Sequence, residues 1–166
     1  MRNIILVGFM GTGKSAVARE VAKRRGARYC STDELIEERE GMKIAEIFAK
    51  KGEAYFRGVE VSVVGEVSRE AGLVIDAGGG IMTRDENVAA LKESGTLISL
   101  TARVDVIHGR TKGRTHRPLL NVPDPRAKIE ELLAARASYY AKADHAIDTS
   151  DLTISQVADK VLEFCQ

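Results

Sequence analysis

Along this chain, short apolar runs alternate with longer stretches of helical period. Residues 3–7 (NIILV) form an apolar run ending at Gly8, and residues 14–25 then put Val17, Ala18, Val21 and Ala22 on one stripe that Gly26 stops. The alternation continues: a strand is predicted over 27–30, with a helix starting at Thr32-Asp33. A short helix over 43–50 is separated by Gly52 from a longer one reaching Ser68. Strands follow over 73–76 and 96–101, with a helix at about 86–92 between them and another over 102–110. Residues 111–125, rich in Lys, Arg, His, Gly and Pro, read as an irregular exposed segment. A long helix over about 126–141, a strand over 145–148 and a helix over 154–164 complete the pattern. Strands alternating with helices need crossover connections. The pattern therefore predicts an α/β fold of three layers, α/β/α, around a central parallel sheet of about five strands.

Composition narrows the function classes. With 166 residues the chain is expected to fold as one domain. Its 25 basic and 24 acidic residues leave a net charge of +1, so no global field points to nucleic acid or a membrane surface. No apolar run approaches the roughly 20 residues of a spanning helix, and the opening run is too short for a signal peptide. Two cysteines, Cys30 and Cys165, make no disulfide framework, which suits a reducing cytoplasm. A cytoplasmic location, without nucleic-acid or membrane partners, is the expectation.

The first chemistry lies directly after the first strand. Gly8-Phe9-Met10-Gly11-Thr12-Gly13-Lys14-Ser15 fits G-x-x-x-x-G-K-[ST] between a predicted strand and a predicted helix. Backbone N–H groups from Gly11, Thr12, Gly13, Lys14, Ser15 and Ala16 can cradle phosphate oxygens there, with the positive end of the helix behind them. Lys14 would reach the β- and γ-phosphates of a nucleoside triphosphate, and the Ser15 hydroxyl would ligate Mg²⁺. Such a loop serves kinases, ATPases and GTPases. The chain lacks the bulk of a motor and has no Asn-Lys-x-Asp pattern for reading guanine. Asp33 and Asp76 with Gly78–Gly80 follow strand ends, where open α/β sheets bind ligands, and Arg57 lies in the helical stretch between them. An aspartate able to take a hydroxyl proton, beside an arginine able to pair with an anion, suits phosphoryl transfer to a small acidic alcohol.

Further motifs follow in order. These are Ser31-Thr32-Asp33-Glu34-Leu35-Ile36-Glu37, Gly52-Glu53-x-x-Phe56-Arg57-x-x-Glu60, Gly78-Gly79-Gly80, Arg117-Pro118-Leu119-Leu120 and Arg136-x-x-x-Tyr140. With the phosphate loop they resemble the shikimate kinase family over nearly the whole chain. The resemblance implies a fold like that of the nucleoside monophosphate kinases, with transfer of the ATP γ-phosphate to the 3-hydroxyl of shikimate. It makes Asp33 the base that holds the reacting hydroxyl. It makes Arg57 and Arg136 the carboxylate-binding arginines, and Glu60 the acid that orients Arg57. Gly78, Gly79 and Gly80 become the backbone against the ring. Arg117 becomes a lid arginine near the phosphates, within a lid at about 111–125, and Arg110 the arginine stacked on adenine. The acceptor region would span about 31–62. A kinase for another hydroxy acid such as gluconate, or a nucleotide-binding module without turnover, are the rival readings.

One departure stands out. The family usually carries an aspartate where this chain has Ser31, and a small or neutral residue where it has Asp76. Apolar residues leading to a strand-end aspartate, Leu73-Val74-Ile75-Asp76, form a general Walker B arrangement. The expectation is a magnesium-side carboxylate moved from position 31 to position 76, against the alternative that Asp76 caps the glycine turn. Asp33 likewise has a plain alternative as a helix N-cap, and Arg57–Glu60 one as a solvated helix pair. His108, His116 and His145 show no metal-ligand spacing, and Tyr139 and Tyr140 read as packing residues.

Overall fold

The computed structural model describes residues 1–112 and 120–166. Five parallel strands form one sheet: β1 (Asn3–Gly8), β2 (Arg28–Ser31), β3 (Leu73–Asp76), β4 (Gly95–Thr101) and β5 (His145–Asp148). They lie in the order β2-β3-β1-β4-β5, so the phosphate-loop strand is central. All six β1 residues are buried, and period-2 alternation sends them to opposite faces. Ile5 and Val7 enter one core with Ile75 and Leu97, and Ile4 and Leu6 enter the other with Val74 and Ile98.

Two helices, α1 (Lys14–Arg25) and α8 (Ile154–Phe164), cover the second face through Val17, Val21, Val157 and Val161. The first face is covered by α2 (Thr32–Glu40), α3 (Ile44–Lys51), α4 (Glu53–Val67), α5 (Asp85–Ser94), α6 (Val104–Thr111) and α7 (Pro125–Tyr140). The three expected layers and the five parallel strands are present. Each fully buried Ile or Val contributes roughly 1.5–3 kcal/mol by leaving water, so the two cores fix the strand order that positions everything below.

Local chemistry sets several boundaries. Ser31 is the N-cap of α2, its Oγ accepting from the Glu34 N–H at 3.2 Å. Asp33 is therefore not the cap, and its carboxylate is left for other work. The helix expected from residue 102 begins at Val104, because Arg103 is still extended. It continues through Thr111, which is buried and donates to the Ile107 carbonyl at 2.8 Å. The segment expected to be exposed thus starts later than its composition suggested. Leu120 is also buried, and Asp124 caps α7 ahead of Pro125. Residues 113–119, which carry His116 and Arg117, lie outside the described residues. Among the described residues no helix is long and apolar enough to cross a membrane.

Candidate active site

The phosphate loop leaves β1 at Gly8, where a side chain would run into the Leu100 carbonyl of β4. It enters α1 at Gly13, whose φ of 84° lies in the left-handed region that glycine adopts without strain. Its shape is held from inside and outside. Thr12 Oγ1 donates to the Phe9 carbonyl at 2.8 Å, and buried Thr149 Oγ1 lies 3.0 Å from the carbonyls of both Thr12 and Thr101. Arg110 donates to the Gly11 carbonyl at 3.1 Å and to the Thr149 carbonyl at 3.1 Å. The guanidinium is thereby pinned beside the loop, where it lines a cavity of about 390 Å³ with Ala16, Leu152, Ile154 and Val157. A fixed planar cation and an aliphatic patch suit a flat heteroaromatic ring.

A second cavity, of about 450 Å³, opens on the β2–β3 side, and Lys14, Ser15, Asp33, Asp76 and Arg136 line it. Asp33 stands on the first turn of α2. Burial pushes its carboxyl above the usual carboxylate range, Asp76 and Glu37 push it further, and Lys14 and Arg57 oppose them. Thr32 Oγ1 accepts from the Gly78 N–H at 2.9 Å, stitching the start of α2 to the glycine run.

Three consecutive glycines then face three different functional groups. A Cβ on Gly78 would lie 2.5 Å from Asp33 Oδ1, one on Gly79 would lie 3.3 Å from the Arg136 guanidinium, and one on Gly80 would fall on the Arg57 guanidinium. Arg57 itself, with Gly78 and Gly80, is not in the cavity lining. The run is anchored from α7, where Tyr140 donates to the Gly79 carbonyl at 3.0 Å, and from α5, where Asn87 donates to the Ile81 carbonyl at 3.0 Å.

Arg57 and Glu60 make a bridge of 2.9 Å in which Glu60 is only 1% exposed. This is a buried pair rather than the solvated one that spacing alone allowed. Burial raises the Glu60 carboxyl, while Arg57 works against the shift. Arg136 extends over the Phe9 ring at 5.7 Å.

Asp76 does not cap the glycine turn, since Thr32 holds the Gly78 N–H. Its Oδ2 accepts from the Tyr29 hydroxyl at 2.8 Å, and its Oδ1 lies 3.6 Å from Lys14 Nζ. Lys14 also donates to the Ala77 carbonyl at 2.5 Å. Burial and the Asp76 carboxylate push the Tyr29 phenol well above its ordinary range, so it remains a donor at any working pH. Asp33, Arg136, Lys14, Ser15 and Asp76 are thus brought together, with Arg57 against the adjoining glycine. Arg110 stands across the loop, and Arg117 lies outside the described residues.

Sequence reasoning missed Tyr29, Thr32 and Thr149, and assigned Tyr140 to packing alone. The four-residue step from Arg136 to Tyr140 on one helix face was the available signal for Tyr140. The other three act through strand neighbours that no local pattern reveals. His108 and His145 join no metal cluster: among the described residues no group of three His, Cys, Asp or Glu side chains is placed to hold an ion.

A parallel sheet carrying this loop, with a buried carboxylate and two arginines beside it, defines a phosphate-loop kinase for small molecules. The chain matches the model of the shikimate kinase family over residues 10–166. It is similar to a shikimate kinase of Thermodesulfovibrio yellowstonii, with 45% identity over 163 residues that cover 98% of this chain and 94% of the relative. It also superposes on the shikimate kinase of Acinetobacter baumannii in complex with shikimate, with a TM-score of 0.93 and 36% identity, covering 99% of this chain and 92% of that one. The chain belongs to the shikimate kinase family and is an ATP-dependent kinase. A gluconokinase of Sinorhizobium meliloti shares the fold alone, at a TM-score of 0.65 and 17% identity over 98% of this chain and 90% of that one.

Proposed function

We propose that this enzyme transfers the γ-phosphoryl group of ATP to the 3-hydroxyl of shikimate, giving shikimate 3-phosphate. The observation that carries the reading is the glycine run, each of whose residues leaves room for one of Asp33, Arg136 and Arg57. A flat ring laid on that backbone meets a carboxylate for its hydroxyl and guanidinium groups for its own carboxylate. Glu60 fixes the head of Arg57, and Tyr140 fixes the shelf. Asp33 takes the hydroxyl proton as the oxygen attacks the γ-phosphorus, and its raised pKa makes it a stronger base than an exposed aspartate. Lys14 leaves Asp76 and Ala77 for the β- and γ-phosphate oxygens, and the loop N–H groups from Gly11 to Ala16 cradle the rest. Adenine takes the cavity beside Arg110. On the resemblance alone, Arg117 is assigned to the phosphates from a lid.

The cavity offers hard oxygen donors: the Ser15 and Ser31 hydroxyls and the Asp33 and Asp76 carboxylates. These suit Mg²⁺, which keeps waters and phosphate oxygens rather than an all-protein cage. Ser15 and Asp76 are the residues proposed to hold it, and when bound it would neutralise charge on the phosphate oxygens. The enzyme is read as a single-domain cytoplasmic monomer without nucleic-acid or membrane partners.

ADP release measured with shikimate, with gluconate and without acceptor tests the reading. Release that requires shikimate is expected. Release driven by gluconate, or ATP binding with no acceptor-dependent release, overturns it.

A further inference from the structure

We infer that Tyr29 is a positioning residue that clamps the Asp76 carboxylate, holding its second oxygen toward Lys14 and toward the magnesium shell beside Ser15. The inference rests on the proposed placement of Mg²⁺ at Ser15 and Asp76, and it adds to that placement the residue that orients the carboxylate.

The register explains why these two side chains meet. In the β2–β3 pair, Tyr29 lies opposite Val74 and Ser31 lies opposite Asp76. Tyr29 and Asp76 are therefore diagonal neighbours on one face of the sheet, a separation that an aromatic side chain spans. The cross-strand partner of Asp76 is a hydroxyl, Ser31, already engaged as the cap of α2. The carboxylate that this pair of strands presents to the phosphate loop is thus that of Asp76. It is 5% exposed and ends at the loop strand, where Leu6 is its partner on the other side.

The two oxygens of Asp76 have unequal partners. Oδ2 is tied to the phenol at 2.8 Å, whereas Oδ1 makes, among the described residues, the longer 3.6 Å contact with Lys14. The close contact of Lys14 is with the Ala77 carbonyl instead. When the lysine moves to phosphate, the Oδ1 of buried Asp76 loses its cation, and a buried anion left so is costly. A hydrated divalent cation held beside Ser15 would supply the missing charge. Tyr29 keeps Oδ1 facing the cavity throughout. Its own ring is fixed by the Arg19 guanidinium 4.0 Å from its centroid, and Arg19 is in turn held by Glu34 at 3.2 Å. Carboxylates that serve metals are commonly oriented by such a neighbour.

The test is an electron paramagnetic resonance titration of Mn²⁺ into the enzyme saturated with a non-hydrolysable ATP analogue, a binding measurement independent of turnover. It compares the wild type with Tyr29→Phe, Asp76→Asn and the double variant, with melting curves confirming that each is folded. Tyr29→Phe keeps the ring under Arg19 and removes only the hydroxyl. It is expected to weaken Mn²⁺ binding by about tenfold, Asp76→Asn by at least as much, and the double variant no more than Asp76→Asn. A loss in Asp76→Asn with none in Tyr29→Phe overturns the clamp and leaves the magnesium placement standing. Additive losses mean that Tyr29 acts elsewhere and overturn it too. No loss in either variant overturns the placement of Mg²⁺ together with the clamp.

Discussion

Around Lys14 the molecule builds two cavities by different means. On the Arg110 side, the loop is shaped by backbone: carbonyls of Phe9, Gly11, Thr12 and Thr101 are tied by hydroxyls and one guanidinium. On the Asp33 side, side chains carry the site, with three charged groups set against three glycines and Arg57 held by Glu60. A backbone cradle reads what all nucleotides share, whereas a side-chain cradle reads one acid. Substitutions at Asp33, Arg57, Arg136 and the three glycines should therefore change the acceptor's constants while leaving nucleotide binding in place.

The strongest way to break that contrast is Asp33→Asn, which removes the base and keeps the shape. Acceptor-dependent turnover is expected to fall by about 10²–10⁴, with binding of an ATP analogue retained. If calorimetry shows nucleotide affinity falling in parallel, the two sides are not separable. Gly80→Ala comes next. The glycine has φ −98°, so alanine fits its backbone, and the new methyl falls on the Arg57 guanidinium that Glu60 holds. The fold should survive with Arg57 displaced, raising the shikimate KM by roughly 10- to 100-fold, the value of a lost charge-assisted contact. An unchanged KM removes Arg57 from the acceptor site.

Asp76→Ala should raise the Mg²⁺ concentration for half-maximal rate by about tenfold. Adding Ser31→Asp should recover much of the loss, since aspartate also serves as an N-cap and returns a carboxylate to the facing strand position. Unchanged Mg²⁺ dependence ends the relocation reading.

The smallest effect is on pH dependence. Asp33 must be ionised to act, and its folded pKa is raised. The acid limb of kcat/KM for shikimate should therefore lie above the roughly 3.9 of an ordinary aspartate. Departure of Lys14 to the phosphates only reinforces the shift. The same sign makes Asp33 favour folding at acid pH, a contribution lost as pH rises through its folded pKa. A limb at or below the ordinary value contradicts Asp33 as the buried base.

Much of this was legible before any coordinates. The hydrophobic periods gave the five strands and the layers, and G-x-x-x-x-G-K-S fixed the loop because that motif needs a strand before it and a helix after it. Asp33, Asp76, the glycine run and Arg57 stand out by their places at strand ends and between them, whereas Arg136 and the roles of all of these come through resemblance, and Ser31 is a departure from it. What stayed hidden depends on contacts across the sheet. Tyr29 meets Asp76 only because β2 lies beside β3 in one register, and Thr149 reaches Thr12 only because β5 closes the row. The cap is ambiguous in sequence because Ser31, Thr32 and Asp33 can each cap a helix; Ser31 takes the Glu34 N–H, and Thr32 is claimed instead by Gly78 across the sheet.

The central claim is that the glycine shelf orients one hydroxyl of shikimate toward the γ-phosphate. Phosphorus–proton correlation by nuclear magnetic resonance on the product of a complete reaction tests it directly. The account predicts one phosphorylated species whose phosphorus couples to the proton at carbon 3. Phosphate on another hydroxyl, a mixture of positions, or inorganic phosphate alone would contradict it.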